Sequence, residues 1–253
     1  MLTAVPLEAL PEITPGTDLA ELIAALLARW PAADQPRSGD VLAIAHKIVS
    51  KAEGRVRSLA DVVPGERALE LAGPGGKDPR LVQVVLDETR EIVRASPGVI
   101  VCETHHGFVC ANAGVDQSNV PGDGTVLMLP RDPDASARTI RTRLRELTGV
   151  APGIVITDSF GRAWRTGQAD VAIGLAGVAA LDDWRGRIDA AGREMHATVI
   201  AVADLMAATA DLARRKDASQ PVVLLRGVEE YVTVEDGPGI RLLLRERSQD
   251  LFR

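Results

Sequence analysis

Apolar residues recur at helical spacing in several stretches of the chain. One amphipathic helix is predicted from about Asp18 to Trp30, set off by Pro15-Gly16 before it and Pro31 after it. Asp78-Pro79 reads as a second helix start, with Leu81, Val82, Val85, Leu86, Thr89, Ile92 and Val93 following at helical spacing. Asp132-Pro133 opens a third, running through Leu147 with Ile140, Leu144 and Leu147 on one face, and Asp204 to Arg214 reads as an Ala-rich fourth. Between them lie short apolar runs with strand character. These are a short N-terminal strand, Val41 to Val49, Val99 to Cys102, Gly107 to Ala111, Val126 to Leu129, Ile154 to Thr157, Thr198 to Ala201, Val222 to Leu225 and Tyr231 to Val234. Strands and helices do not strictly alternate, so the expected fold class is α+β, with mixed sheets and flanking helices rather than a doubly wound sheet.

Composition narrows the function classes. The chain has 253 residues, 46% hydrophobic and 25% charged, the balance of a folded globular protein long enough for one large domain or two modest ones. A net charge of -6 repels nucleic acid and anionic membrane, and the basic residues cluster only at Arg214-Arg215-Lys216. No apolar run approaches the length of a bilayer span, and the N-terminus lacks a signal-peptide layout. Two cysteines, Cys102 and Cys110, make no disulfide framework and suit a reducing compartment, so a cytoplasmic protein is expected.

Two segments put oxygen donors beside apolar strands. One is Asn112 to Asn119, with Asp116. The other is Thr157-Asp158-Ser159-Phe160-Gly161-Arg162, continuing to Arg165 and Gln168, with Asp158 to Arg162 read as a polar loop after the Ile154–Thr157 strand, where sheet folds tend to place chemistry. Such hard oxygens suit Mg2+ or Mn2+ carrying a triphosphate, although each aspartate taken singly is equally an ordinary turn or helix cap. Lysine is scarce, occurring only at 47, 51, 77 and 216 in an arginine-rich chain. A lysine kept where arginine is the default suggests a compact point charge on a phosphate, with a solvated strand end as the plain alternative. Cys102, His105, His106 and Cys110 lack the spacing of a zinc site. Gly73 to Lys77 is not a Walker loop, and no serine sits in a nucleophile elbow.

Together the strings ALPEITPGTDL, GDVLAIAHKIVSKAEGR, KDPRLVQVVLDETREIVR, THHGFVCANAGVDQSNV, ITDSFGRAWRTGQADVAIGLAG and the terminal DLFR resemble the coenzyme F-420:L-glutamate ligase family, in order and over nearly the whole chain. The resemblance implies an α+β, intertwined homodimer and a single ligase unit over 1–253 with a subdomain boundary left open. The family also includes members fused to a C-terminal nitroreductase-like domain, which is not expected in this chain because it ends after DLFR. The resemblance also implies GTP-dependent joining of L-glutamate to the carboxylate of a deazaflavin coenzyme precursor through an acyl phosphate, with Mg2+ or Mn2+ and with K+ left open. Carried over by residue, Asp116, Asp158 and Ser159 are implied metal ligands. Leu10, Pro11, Glu12, Lys51 and Asn119 are implied to hold GTP, and Lys51, Asp116 and Asp158 to carry catalysis.

Three departures stand out. His46 occupies a place in the nucleotide site where the family usually has serine. Ala213-Arg214-Arg215-Lys216 replaces a Met-Gly-Gln type segment whose glutamine helps bind a second metal, and Leu205 replaces an acidic residue. These keep open a divergent amide ligase acting on another small carboxylic acid, and a non-catalytic nucleotide- or deazaflavin-binding homologue.

Overall fold

The computed structural model describes all residues except 75, 121, 216 and 253. Its elements in chain order are β1 (Thr3–Pro6), α1 (Leu19–Leu27), β2 (Val41–Ala45), α2 (His46–Ala52), β3 (Val56–Ser58), α3 (Glu66–Ala72) and α4 (Pro79–Asp87), then β4 (Thr89–Ser96), β5 (Val99–Thr104), β6 (Val109–Ala111) and β7 (Thr125–Leu127). There follow α5 (Pro133–Thr148), β8 (Gly153–Arg162), β9 (Arg165–Ala176), β10 (Asp182–Asp183), β11 (Val199–Ile200), α6 (Val202–Ala213) and β12 (Val222–Arg226). The principal sheet has the order β1-β12-β2-β8-β9 and is antiparallel except where β2 and β8 run parallel. A three-stranded antiparallel sheet β4-β5-β6 and the pairs β3-β7 and β10-β11 complete a mixed α+β architecture.

Caps set the helix starts. Asp18 accepts the Glu21 N–H at 3.0 Å and opens α1, whose Leu19, Ala20, Ile23, Leu26 and Leu27 are buried. Asp132 accepts the Ala135 N–H at 2.9 Å and Pro133 follows at the first helical position of α5. Gly149 ends that helix in the left-handed conformation, φ 74°, returning its N–H to Arg145 O. Removing the α5 cap with Asp132→Ala is expected to cost about 1 kcal/mol, read from the urea midpoint with an unchanged m-value.

Four expectations need correction. The apolar run from Val41 stays a strand only to Ala45 and then becomes a helix. The Ala45 N–H is taken by Pro221 O, and Pro221, having no N–H to return, ends the β12 ladder there. A short apolar run cannot distinguish the two conformations by periodicity alone. The helix from Pro79 stops at Asp87, because Thr89, Ile92 and Val93 enter β4, where Thr89 and Ile92 pair with β5 and Val93 sits at a break in the register, a setting that suits β-branched side chains. Asp158 to Arg162 is the outer half of β8, paired with Gln168 to Val171 of β9 and with Arg165, rather than a loop. Tyr231 to Val234 makes no strand: a 3-10 turn covers Glu229–Tyr231, and Val232 forms one isolated bridge with Val178.

Buried apolar residues form two clusters. The larger centres on β2, β8, β9, β12, α1, α5 and α6. The smaller gathers Leu59, Val82, Val85, Ile100, Cys102, Val115 and Val126 from the segment containing α3, α4, β4 to β7 and their connections. No helix among the described residues is long and apolar enough to cross a membrane.

Candidate active site

The parallel pair β2 and β8 is in register with Ala45 opposite Thr157, so the next residues along the chain, His46 and Asp158, lie side by side at the carboxyl end of β2, where the parallel pairing stops and β8 runs on against β9. This is where open sheets present side chains to ligands. The turn leading into β12 lies at the same end through Ala45 N–H to Pro221 O, and the segment after β1 joins it through Leu10 N–H to Ser219 O at 3.1 Å. From the smaller cluster comes Asp116, fixed by a two-way backbone bridge to Leu127.

The helix α2 ties these pieces together. Its buried first residue, His46, places Nε2 3.2 Å from Asp158 Oδ1, an electrostatic approach whose angle falls short of a hydrogen bond, while Nδ1 lies 3.2 Å from Ser50 Oγ. Lys47, next in the chain, pairs with the Asp116 carboxylate and also donates to Ser118 O and Oγ. One turn on, the buried Lys51 ammonium donates to exposed Glu12 at 2.7 Å. Asp158, Asp116 and Glu12, far apart in sequence, are therefore each met by a residue of one short helix. Leu10 packs on the core, Pro11 is exposed, and Asn119 is exposed in the left-handed region, φ 56°, in the loop after Asp116.

Burial is the largest influence on Asp116 and pushes its carboxyl up. The Lys47 ammonium and the Ser118 N–H and hydroxyl together outweigh it and hold the group below the usual carboxylate range. A depressed carboxylate stabilises the fold above the unfolded-state pKa, and that contribution is lost as pH falls through the lower folded value. Lys47→Met is expected to raise the Asp116 pKa, measured by carbon-detected titration of the side-chain carboxyl. No upward movement would show that Lys47 does not hold the group down.

Ser159 lies elsewhere. Alternation along β8 turns Asp158 to one face and Thr157 and Ser159 to the other. Ser159 is opposite Asp170 on β9 and donates to its Oδ1 at 2.6 Å, while Thr157 donates to Oδ2 at 2.9 Å. Arg214, just past α6, is buried among them and donates to Asp170 Oδ2 at 2.8 Å, Thr157 Oγ1 at 3.0 Å and Pro221 O at 3.2 Å. Arg215 by contrast is exposed and pairs with Asp217, and residue 216 of the basic cluster lies outside the described residues. Leu205 is exposed, whereas its neighbour Asp204 accepts the Ala172 N–H at 2.9 Å and fastens α6 to β9. Sequence reasoning placed Ser118 and Thr157 within the two oxygen-rich segments without giving either a role, and it missed Asp170. The signal available for Asp170 was its position across the hairpin from Ser159.

Cys102 and Cys110 are free and buried opposite one another on β5 and β6. His105 and His106 contact the carbonyls of Asp87 and Pro130 instead. No group of three or more His, Cys, Asp or Glu side chains among the described residues has metal-holding geometry. Asp116 and Asp158 nonetheless fit a hard divalent cation by donor chemistry, and the Lys47 ammonium already places positive charge on Asp116.

The sequence profile of the F420-0:gamma-glutamyl ligase family matches residues 8–227. The chain is 48% identical to the coenzyme F420:L-glutamate ligase of Methanopyrus kandleri, covering 98% of this chain and 96% of that protein. It is 43% identical to the protein of the same name from Methanothermobacter thermautotrophicus, over 100% and 99% of the two chains. The Haloarcula marismortui protein of that name is 41% identical, over 97% and 93%. On this similarity, which spans nearly all of the chain, the protein belongs to the F420-0:gamma-glutamyl ligase family.

Proposed function

We propose that this chain joins L-glutamate to the carboxylate of a deazaflavin coenzyme precursor, using GTP and a divalent cation, by way of an acyl phosphate. The names of its relatives support the substrates. The observation that carries the site is the adjacency of His46 and Lys47, which brings Asp158 and Asp116 to one end of the sheet. Asp116 and Asp158 would hold Mg2+ or Mn2+, which when bound supplies charge neutralisation on phosphate oxygens. Lys51 would turn from Glu12 to the phosphates. It offsets developing charge as the precursor's carboxylate oxygen bonds to the terminal phosphorus and the bond to the GDP leaving group breaks. The glutamate amine, having lost its proton, then bonds to the acyl carbon and displaces phosphate, so no protein nucleophile is needed. Leu10, Pro11, Glu12 and Asn119 border the region proposed for the nucleotide, and His46 lies buried beside Asp158 rather than reaching solvent. Catalysis on this reading is positioning and electrostatics.

A homodimer belongs to the same reading. The tip of the β8–β9 hairpin exposes Trp164, 87% accessible, with its ring 6.1 Å from that of exposed Phe252, apolar surface of the kind that a second subunit covers. Light scattering is expected to give twice the chain mass, and a monomer at micromolar concentration would contradict it.

The test of function is direct. Purified protein with GTP, Mn2+, glutamate and the unglutamylated coenzyme is expected to release GDP and phosphate and to yield a product heavier by one glutamyl unit. No GDP release with every component present would overturn the proposal.

A further inference from the structure

Asp158 sits between two hydroxyl residues that are tied to the same carboxylate. Thr157 on its amino side donates to Asp170 Oδ2, and Ser159 on its carboxyl side donates to Asp170 Oδ1. The Ser159 N–H also donates to Asp158 Oδ1 at 2.8 Å, so the position of Ser159 bears on the aspartate side chain directly. Asp170 is itself 4% exposed and gripped by Arg214, 8% exposed, whose second amino group reaches Pro221 O. One guanidinium therefore links the segment entering β12, the hairpin strand β9 and both neighbours of Asp158.

A buried ion pair is a weak source of stability, since desolvation of both charges offsets most of their attraction, but directed donors can specify geometry. Here both Arg214 amino groups are directed, while its Nε has no partner among the described residues. We propose that Arg214 and Asp170 are positioning residues that clamp Thr157 and Ser159 and thereby aim the Asp158 carboxylate at its cation. The inference rests on the reading that Asp158 holds a divalent cation. Asp158 points to the opposite face of β8 from the clamp, so Arg214 acts through the strand and not by contact with the reactants. Outer partners of metal-holding carboxylates commonly change metal affinity by roughly 10- to 100-fold when removed, because the ligand must then be ordered on binding.

The experiment is Mn2+ titration followed by electron paramagnetic resonance on the whole protein, for wild type, Asp158→Asn, Asp170→Asn, Thr157→Val and Arg214→Ala. Asp170→Asn keeps the shape and provides a folded comparison should Arg214→Ala fail to fold. The clamp predicts Mn2+ binding weakened about 10- to 100-fold in Asp170→Asn and Arg214→Ala, with partial recovery of the latter by added guanidinium ion and none by sodium at equal ionic strength. Unchanged Mn2+ affinity in folded Asp170→Asn, with Asp158→Asn defective, would overturn the clamp and leave the metal assignment standing. Equal binding by wild type and Asp158→Asn would remove the metal assignment and the clamp with it.

Discussion

Asp158→Asn is expected to lower kcat/KM for GTP-dependent glutamate ligation by roughly 10³-fold, equivalent to about 4 kcal/mol of transition-state stabilisation. The amide has the shape of the carboxylate and retains an oxygen for the Ser159 N–H, so the substitution removes charge and leaves local structure in place. The melting temperature is accordingly expected to move by only a few degrees. Steady-state kinetics at saturating Mn2+ and a thermal melt on the same preparation separate the two. Activity within threefold of wild type would remove Asp158 from the chemistry.

The largest expected loss of stability is at Arg141, remote from the site. Its buried guanidinium donates to Pro152 O at 3.2 Å, Val234 O at 3.0 Å, Thr233 O at 2.7 Å and Asp236 Oδ1 at 2.7 Å. It thereby pins the chain after Val232 to the start of β8. Gly177, φ 66°, lies against the guanidinium so closely that any Cβ there would collide with it. Arg141→Met keeps the apolar stem but leaves three carbonyls and a carboxylate without their donor, and is expected to cost about 3–5 kcal/mol. Urea unfolding reads the loss. Asp236→Asn, at the more exposed end of that pair, disturbs one contact and is expected to cost much less. Comparable losses for the two variants would show that the carbonyl contacts contribute little.

The starts of α1, α4 and α5 were legible because capping is local: Asp18, Asp78-Pro79 and Asp132-Pro133 announce a helix whatever surrounds them. Where elements stop was less legible. The change from strand to helix at His46 depends on Pro221, and the end of α4 depends on a pairing partner in β5, neither of which is near in sequence. The oxygen-rich segments around Asp116 and Asp158 stood out beside apolar strands, and the scarcity of lysine pointed to Lys47 and Lys51, each of which meets a carboxylate. That Asp158 and Ser159 face apart was hidden by reading them as a loop, since only a strand imposes alternation. Arg214 was the hardest to read. A basic residue after a helix is ordinarily solvated, and its burial follows from Asp170 arriving on the returning arm of the hairpin.

A crystal structure of the protein grown with Mn2+ and a non-hydrolysable GTP analogue, with anomalous scattering recorded at the manganese edge, addresses the central claim. The account predicts a manganese peak coordinated by both Asp116 and Asp158 and by a phosphate oxygen of the nucleotide, with Lys47 displaced from Asp116. Manganese bound with nucleotide at a place that neither aspartate touches would contradict it.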